Sequence, residues 1–220
     1  MCKGNRLIKR YSGGFSLIEM AMVLVIIGLL LGGALGPLST RVEAERRNET
    51  ADSLARIRDA LLGYAVVNGR LPCADTNGDG AENSPCGFPG VEGDVPWQTL
   101  DLGRLDAWGH PVRYRADSAL TTVNPDLSVL NDGLAITDVG GTPLTSTPVA
   151  IVFSCGKDGL PNGENDANGA VNNNSTCINP GAPNAVYVQN IGNNNFDDIL
   201  IWVSRNTLLN RAVAANRWPP

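Results

Sequence analysis

The chain is poor in the residues on which catalytic and metal centres depend. One histidine, His110, is present among 220 residues. None of the five cysteines stands in a CxxC pair, so zinc has no ready ligand set. There is no G-x-S-x-G, no HExxH and no P-loop, and no cysteine has a histidine partner in prospect. Catalysis therefore has little support, and the expectation is a protein that is not an enzyme. Positive charge is also short, with 17 Lys and Arg against 22 Asp and Glu. A surface that acidic disfavours nucleic acid as a partner and suits divalent cations.

Four of the basic residues, Lys3, Arg6, Lys9 and Arg10, sit together before Gly14. From Phe15 to Leu38 nearly every residue is apolar or glycine, and Glu19 is the only charge. That run is about 36 Å long as an α-helix, enough to span a bilayer. The basic leader before it directs the N-terminus to the cytoplasm and the bulk of the chain outside. A secretory signal peptide is the alternative, but its apolar region is shorter and a small-residue cleavage site follows it. Here Gly32, Gly33, Ala34 and Gly36 lie inside the run. A carboxylate at the centre of a bilayer costs roughly 2.5–3.5 kcal/mol, less near an interface, so Glu19 needs a partner.

Gly14, Phe15 and Glu19 together resemble the type IV pilin and type II secretion pseudopilin signature: a leader ending in glycine, then phenylalanine, then glutamate at the fifth mature position. The resemblance implies that a prepilin peptidase cuts between Gly14 and Phe15 and methylates the new amine. Physics supplies a use for the acid. The amine on Phe15 of an incoming subunit meets the Glu19 of a neighbour, and two charges that are unfavourable in lipid neutralise each other. The implied partners are the peptidase, other pilin or pseudopilin subunits, an inner-membrane assembly platform, and membrane lipid before assembly. The implied location is the bacterial inner membrane with the head in the periplasm, then a periplasmic or extracellular filament. A minor subunit of a pilus or secretion pseudopilus is the expected role. A membrane-anchored binding module is the alternative, and a membrane-anchored enzyme the third reading.

The chain divides into a leader at 1–14, an assembly helix at 15–38, an amphipathic extension at 39–68 and a head at 69–220. Removal of the leader leaves 13 basic residues against 22 acidic. Gly28, Gly32, Gly33, Gly36 and Pro37 weaken the helix, and a kink is expected at Pro37. In the extension Ala51, Leu54, Ala55, Leu61, Leu62 and Ala65 fall near one face, which should bury against a sheet. Asn68-Gly69 is a helix stop, with Pro72 beyond it. The expected fold is α+β, a long helix on a small antiparallel sheet with long disulfide-tied loops. Strands are expected near Val112–Arg115, Leu134–Thr137, Pro148–Ser154 and Asp197–Ser204, and a closing helix over Asn206–Asn216. Leu105 to Pro111 resembles the segment before the first strand of major pseudopilins, with Ala107 where the family has its first proline. Asp198-Ile199-x-x-Trp202 resembles a motif near the end of that family.

Cys2 goes with the leader. Cys73, Cys86, Cys155 and Cys177 remain, and nearest-neighbour pairing gives Cys73–Cys86 and Cys155–Cys177. Each would close a loop of about 14 or 23 residues, worth about 3 kcal/mol in the chain-entropy model. Three connectivities are open. No cofactor is demanded, and calcium is the candidate. Asp75, Asn77 and Asp79, followed by Gly80, have the first half of a calcium loop but lack its closing glutamate. Glu164, Asp166 and Asn168 repeat the pattern more weakly. Asp197 and Asp198 are candidates by the pseudopilin resemblance. His110, Trp97, Trp108 and Trp202 read as structural anchors.

Overall fold

The computed structural model describes residues 14–86, 90–122, 125–126, 128–160, 185–190 and 196–216, with the side chains of 31–38 left aside. The chain forms two units, Met1–Ala44 and Glu45–Pro220. Helix α1, Leu17–Asn68, begins in the first and ends in the second.

In the first unit the backbone is helical from Leu17 onward and stays helical at Pro37, so the expected kink does not end the helix. From Leu17 to Leu30 its side chains are exposed among the described residues: Leu17 is 91% exposed and Leu29 73%. Among the described residues no helix is long and apolar enough to cross a membrane. The described apolar side chains stop at Leu30, about 24 Å from Phe15, while the hydrocarbon layer is about 30 Å thick. The expected span over 15–38 thus depends on 31–38, whose side chains lie outside the description.

In the second unit α1 buries Thr50, Leu54, Ile57, Leu61, Leu62 and Ala65. The expected face is corrected at two positions, with Thr50 and Ile57 in place of Ala51 and Ala55. Ala51 is exposed and Ala55 only half-buried, because the ridge 50-54-57-61-65 steps by three and four and carries the larger side chains. The helix stops at Asn68: Gly69 takes φ +67°, and its N–H donates to the Ala65 carbonyl at 2.9 Å.

The remaining elements are β1 (Gly93–Asp94), α2 (Trp97–Leu100), β2 (Arg113–Ala116), β3 (Ala135–Thr137), β4 (Pro143–Thr145), β5 (Pro148–Ser154), β6 (Val186–Val188), β7 (Ile199–Ser204) and α3 (Arg205–Ala214). Strands β1, β2, β5 and β7 form an antiparallel sheet in that order. The apolar run of β5 lies inside it, buried at every residue. Val149, Ala150 and Val152 pack with Leu54, Leu61, Tyr114 and Val203 in one cluster. Ile151, Phe153 and Cys155 pack on the opposite face with Leu134, Ile136 and Tyr187. Successive strand residues point to opposite faces, so one strand feeds both cores.

The single antiparallel sheet expected from the sequence is corrected here. A second sheet, ordered β4-β3-β6, covers the far face, and β3 runs parallel to β6. Parallel partners need a long connection, and β4 and β5 lie in sequence between β3 and β6. This layer also changes the environment of β2. Val112 and Tyr114 alternate with Arg113 and Arg115, yet both arginines are buried, at 3% and 1% exposure. At the other end Ser204 caps α3, its Oγ accepting the Thr207 N–H at 3.1 Å, so the closing helix starts at Arg205.

Candidate functional site

Residues 14–16 precede the helix, and Ser16 is its N-cap by position. The first N–H groups of any helix lack acceptors within it. Here the Ser16 hydroxyl accepts the Glu19 N–H at 3.3 Å, and the Ser16 N–H donates back to Glu19 Oε2 at 3.5 Å. This reciprocal pair is a capping box. Phe15 is 80% exposed. The structure thus brings Phe15 and Glu19 into the first turn of one helix, with Gly14 just before it. Ser16 escaped the sequence reading, although serine three residues before glutamate at the head of an apolar run is the signal for this motif.

In the head, Cys73 and Cys86 are disulfide-bonded, their Cα atoms 5.2 Å apart. Cys155 is also disulfide-bonded; Cys177 lies outside the described residues. The loop closed by Cys73 and Cys86 is clamped to α1 through Glu82. Its carboxylate accepts from Arg70 Nη1 at 2.7 Å, Arg70 Nη2 at 2.6 Å, the Tyr64 hydroxyl at 2.7 Å and the Cys73 N–H at 3.0 Å. Burial alone would raise its pKa, but these donors outweigh burial and hold it at about 2. Burial and the bond to Glu82 push Tyr64 up to about 12.

Asp75 is buried, and its two oxygens accept the N–H groups of Asn77, Gly78 and Gly80 at 3.1, 2.7 and 2.7 Å. Asn77 Nδ2 donates to Asp79 Oδ2 at 3.0 Å. The side chains of this loop bond to the loop itself. Asp197 Oδ2 accepts the N–H groups of Lys157 and Asp158 at 2.6 and 3.1 Å, and Asp198 is buried. Among the described residues no group of three or more His, Cys, Asp and Glu is placed to hold a metal ion. Asp79 Oδ1 also accepts a loop amide, that of Ala81 at 2.8 Å, and Glu164, Asp166 and Asn168 lie outside the described residues.

Asp106 organises the Trp108-Gly109 turn. Its Oδ1 accepts the N–H groups of Trp108 and His110 at 3.0 and 2.8 Å, and its Oδ2 accepts the Ser154 hydroxyl at 2.6 Å. Gly109 takes φ +90°. His110 Nδ1 lies 2.9 Å from the Gly156 carbonyl, which can only accept, so Nδ1 carries the proton. Ala107 donates its N–H to Thr50 Oγ1 on α1 at 3.2 Å. A proline at 107 has no N–H for that bond.

Arg113 of β2 is held by two carboxylates, Glu92 just before β1 and Asp94 within it. Arg113 donates to Asp94 Oδ1 at 2.6 Å and to Glu92 Oε1 at 3.3 Å. Tyr187 on β6 donates to Glu92 Oε2 at 2.7 Å, which ties the second sheet to the first. Burial pushes the Glu92 carboxyl up, against the pull of Arg113.

A glycine-phenylalanine junction, a glutamate in the first helical turn and a helix whose apolar side chains are exposed from Leu17 to Leu30 match the prepilin-type pattern. The model of the prokaryotic N-terminal methylation motif matches residues 9–35. A type II secretion system core protein G from Aeromonas hydrophila is 28% identical over 108 residues, 47% of this chain and 72% of that protein. A protein of the same description from Pseudomonas aeruginosa is 26% identical over 108 residues, 49% of this chain and 76% of its own length. No solved structure matches the chain. The N-terminal methylation motif and the similarity to two type II secretion pseudopilins both point to the pilin and pseudopilin family.

Proposed function

We propose that this chain is a pilin-like subunit of a type II secretion pseudopilus and a minor component of it. A prepilin peptidase cuts between Gly14 and Phe15 and methylates the new amine. The subunit waits in the inner membrane with its head in the periplasm, then joins the filament through an inner-membrane assembly platform. Glu19 of one subunit neutralises the Phe15 amine of the next. The observation that carries this reading is the first turn of α1, where a single carboxylate stands beside the Gly14-Phe15 junction on a stretch, Leu17 to Leu30, whose apolar side chains are all exposed. Secretion, rather than a type IV pilus, is favoured by the description of both relatives. A minor role is favoured by the size of the head. The match covers about three-quarters of each relative but only about half of this chain, and the second sheet adds a layer to the head.

Mass spectrometry of the subunit from cells with an active peptidase tests the proposal. The expected mature protein begins with N-methyl-phenylalanine at residue 15. A mature chain that still begins at Met1 sinks it.

A further inference from the structure

We infer that Ser16 is a positioning residue for the Glu19 carboxylate, and that the two residues form a cap which the assembly partner completes. The inference rests on the assembly role proposed for Glu19. Two bonds connect the residues in opposite directions: Ser16 Oγ accepts the Glu19 N–H at 3.3 Å, and the Ser16 N–H reaches Glu19 Oε2 at 3.5 Å. The Glu19 and Met20 N–H groups also reach the Ser16 carbonyl, at 3.1 and 3.2 Å. Ser16 is thus the point to which the first turn is fastened.

The consequence is directional. A glutamate side chain on a bare helix has several rotamers and points mostly sideways. Bonded to the Ser16 N–H, this one is drawn back along the axis to the end of the helix, where the N-terminal partial charge is positive. The cleavage point is one residue further back. Only Oε2 is used in the cap, so among the described contacts Oε1 is left to receive a neighbour's amine. The acceptor is held in place before the neighbour arrives, which lowers the ordering cost of the encounter. The carboxylate also has a partner in the subunit before assembly.

Filament yield from four variants in otherwise complete cells tests this. Thr and Val have the same shape and differ by a hydroxyl, so they separate capping from packing. Ser16→Thr is expected to assemble as the parent does. Ser16→Val and Ser16→Ala are expected to assemble about fivefold less, the equilibrium effect of a lost N-cap, with N-terminal processing and membrane level unchanged. Amide exchange at residues 17–20 of the processed subunit in micelles should quicken in the Val variant and not in the Thr variant. If Ser16→Val assembles like the parent, or if Val and Thr fail equally, the positioning role is overturned. Glu19→Ala is the control for the underlying reading: it should abolish assembly, and if it assembles normally the assembly role of Glu19 falls instead.

Discussion

One helix holds two regions with opposite habits. Leu17 of α1 is 91% exposed, whereas Leu54 and Leu61 of the same helix are fully buried under a sheet. From Phe15 to Leu38 the first region has one charge, Glu19, held by a local cap. The second belongs to a head that buries Asp75, Asp94, Arg113 and Arg115. The difference lies in where the partners are. The early helix keeps its described apolar side chains exposed, and the head buries apolar side chains together with paired charges such as Arg113 and Asp94. Substitutions in the first region should therefore leave head stability alone, and those in the second should be felt there.

The largest break in that contrast is expected at Arg113. Its loss leaves Glu92 and Asp94 buried without their main counter-charge, and removing one partner of a buried ion pair costs about 3–5 kcal/mol. Chemical denaturation of Arg113→Ala should show this as a lower midpoint; an unchanged midpoint would mean the cluster is solvated. Next comes a pair on α1. Leu61→Ala should cost about 2–5 kcal/mol through the cavity it leaves, while Leu24→Ala, on the exposed half, should shift the melting of the head by under about 1 °C. Equal effects would erase the division into two regions.

A smaller effect is expected at Glu82. Its carboxyl sits at about 2 in the folded head and near 4.3 when unfolded. The clamp therefore contributes fully above that unfolded value, and its contribution is lost as the pH falls toward 2. Glu82→Gln should cost about 1–2 kcal/mol at neutral pH, since the pair is partly exposed, and should flatten the acid limb of a pH titration of stability. The smallest effect is expected from calcium. Loop amides already occupy Asp75, so millimolar calcium should move the melting temperature by no more than about 1 °C. A rise of several degrees that vanishes in Asp79→Ala would restore the calcium reading of that loop.

Much of this arrangement was legible in the chain. The Asn68-Gly69 stop and the β5 run are local signals, and the structure places both where the sequence predicts. The second sheet was not legible. β4 and β6 are three residues each, too short to leave a period. The alternation at Arg113 and Arg115 identifies a strand but not what covers its charged side. Ala107 shows the same limit. In sequence it reads as a proline lost from a turn, and in the fold it is an N–H gained for Thr50.

Taken alone, the sequence determined the prepilin-type signature: the Gly14-Phe15 junction and Glu19, the one charge in the apolar run that follows it. All of these lie within six consecutive residues and depend on no distant contact. Tertiary structure alone decided which carboxylate meets which arginine, and that a second sheet closes over the far face of the first. Such pairings join residues many positions apart, and their energy comes from desolvation that exists only once both faces are covered.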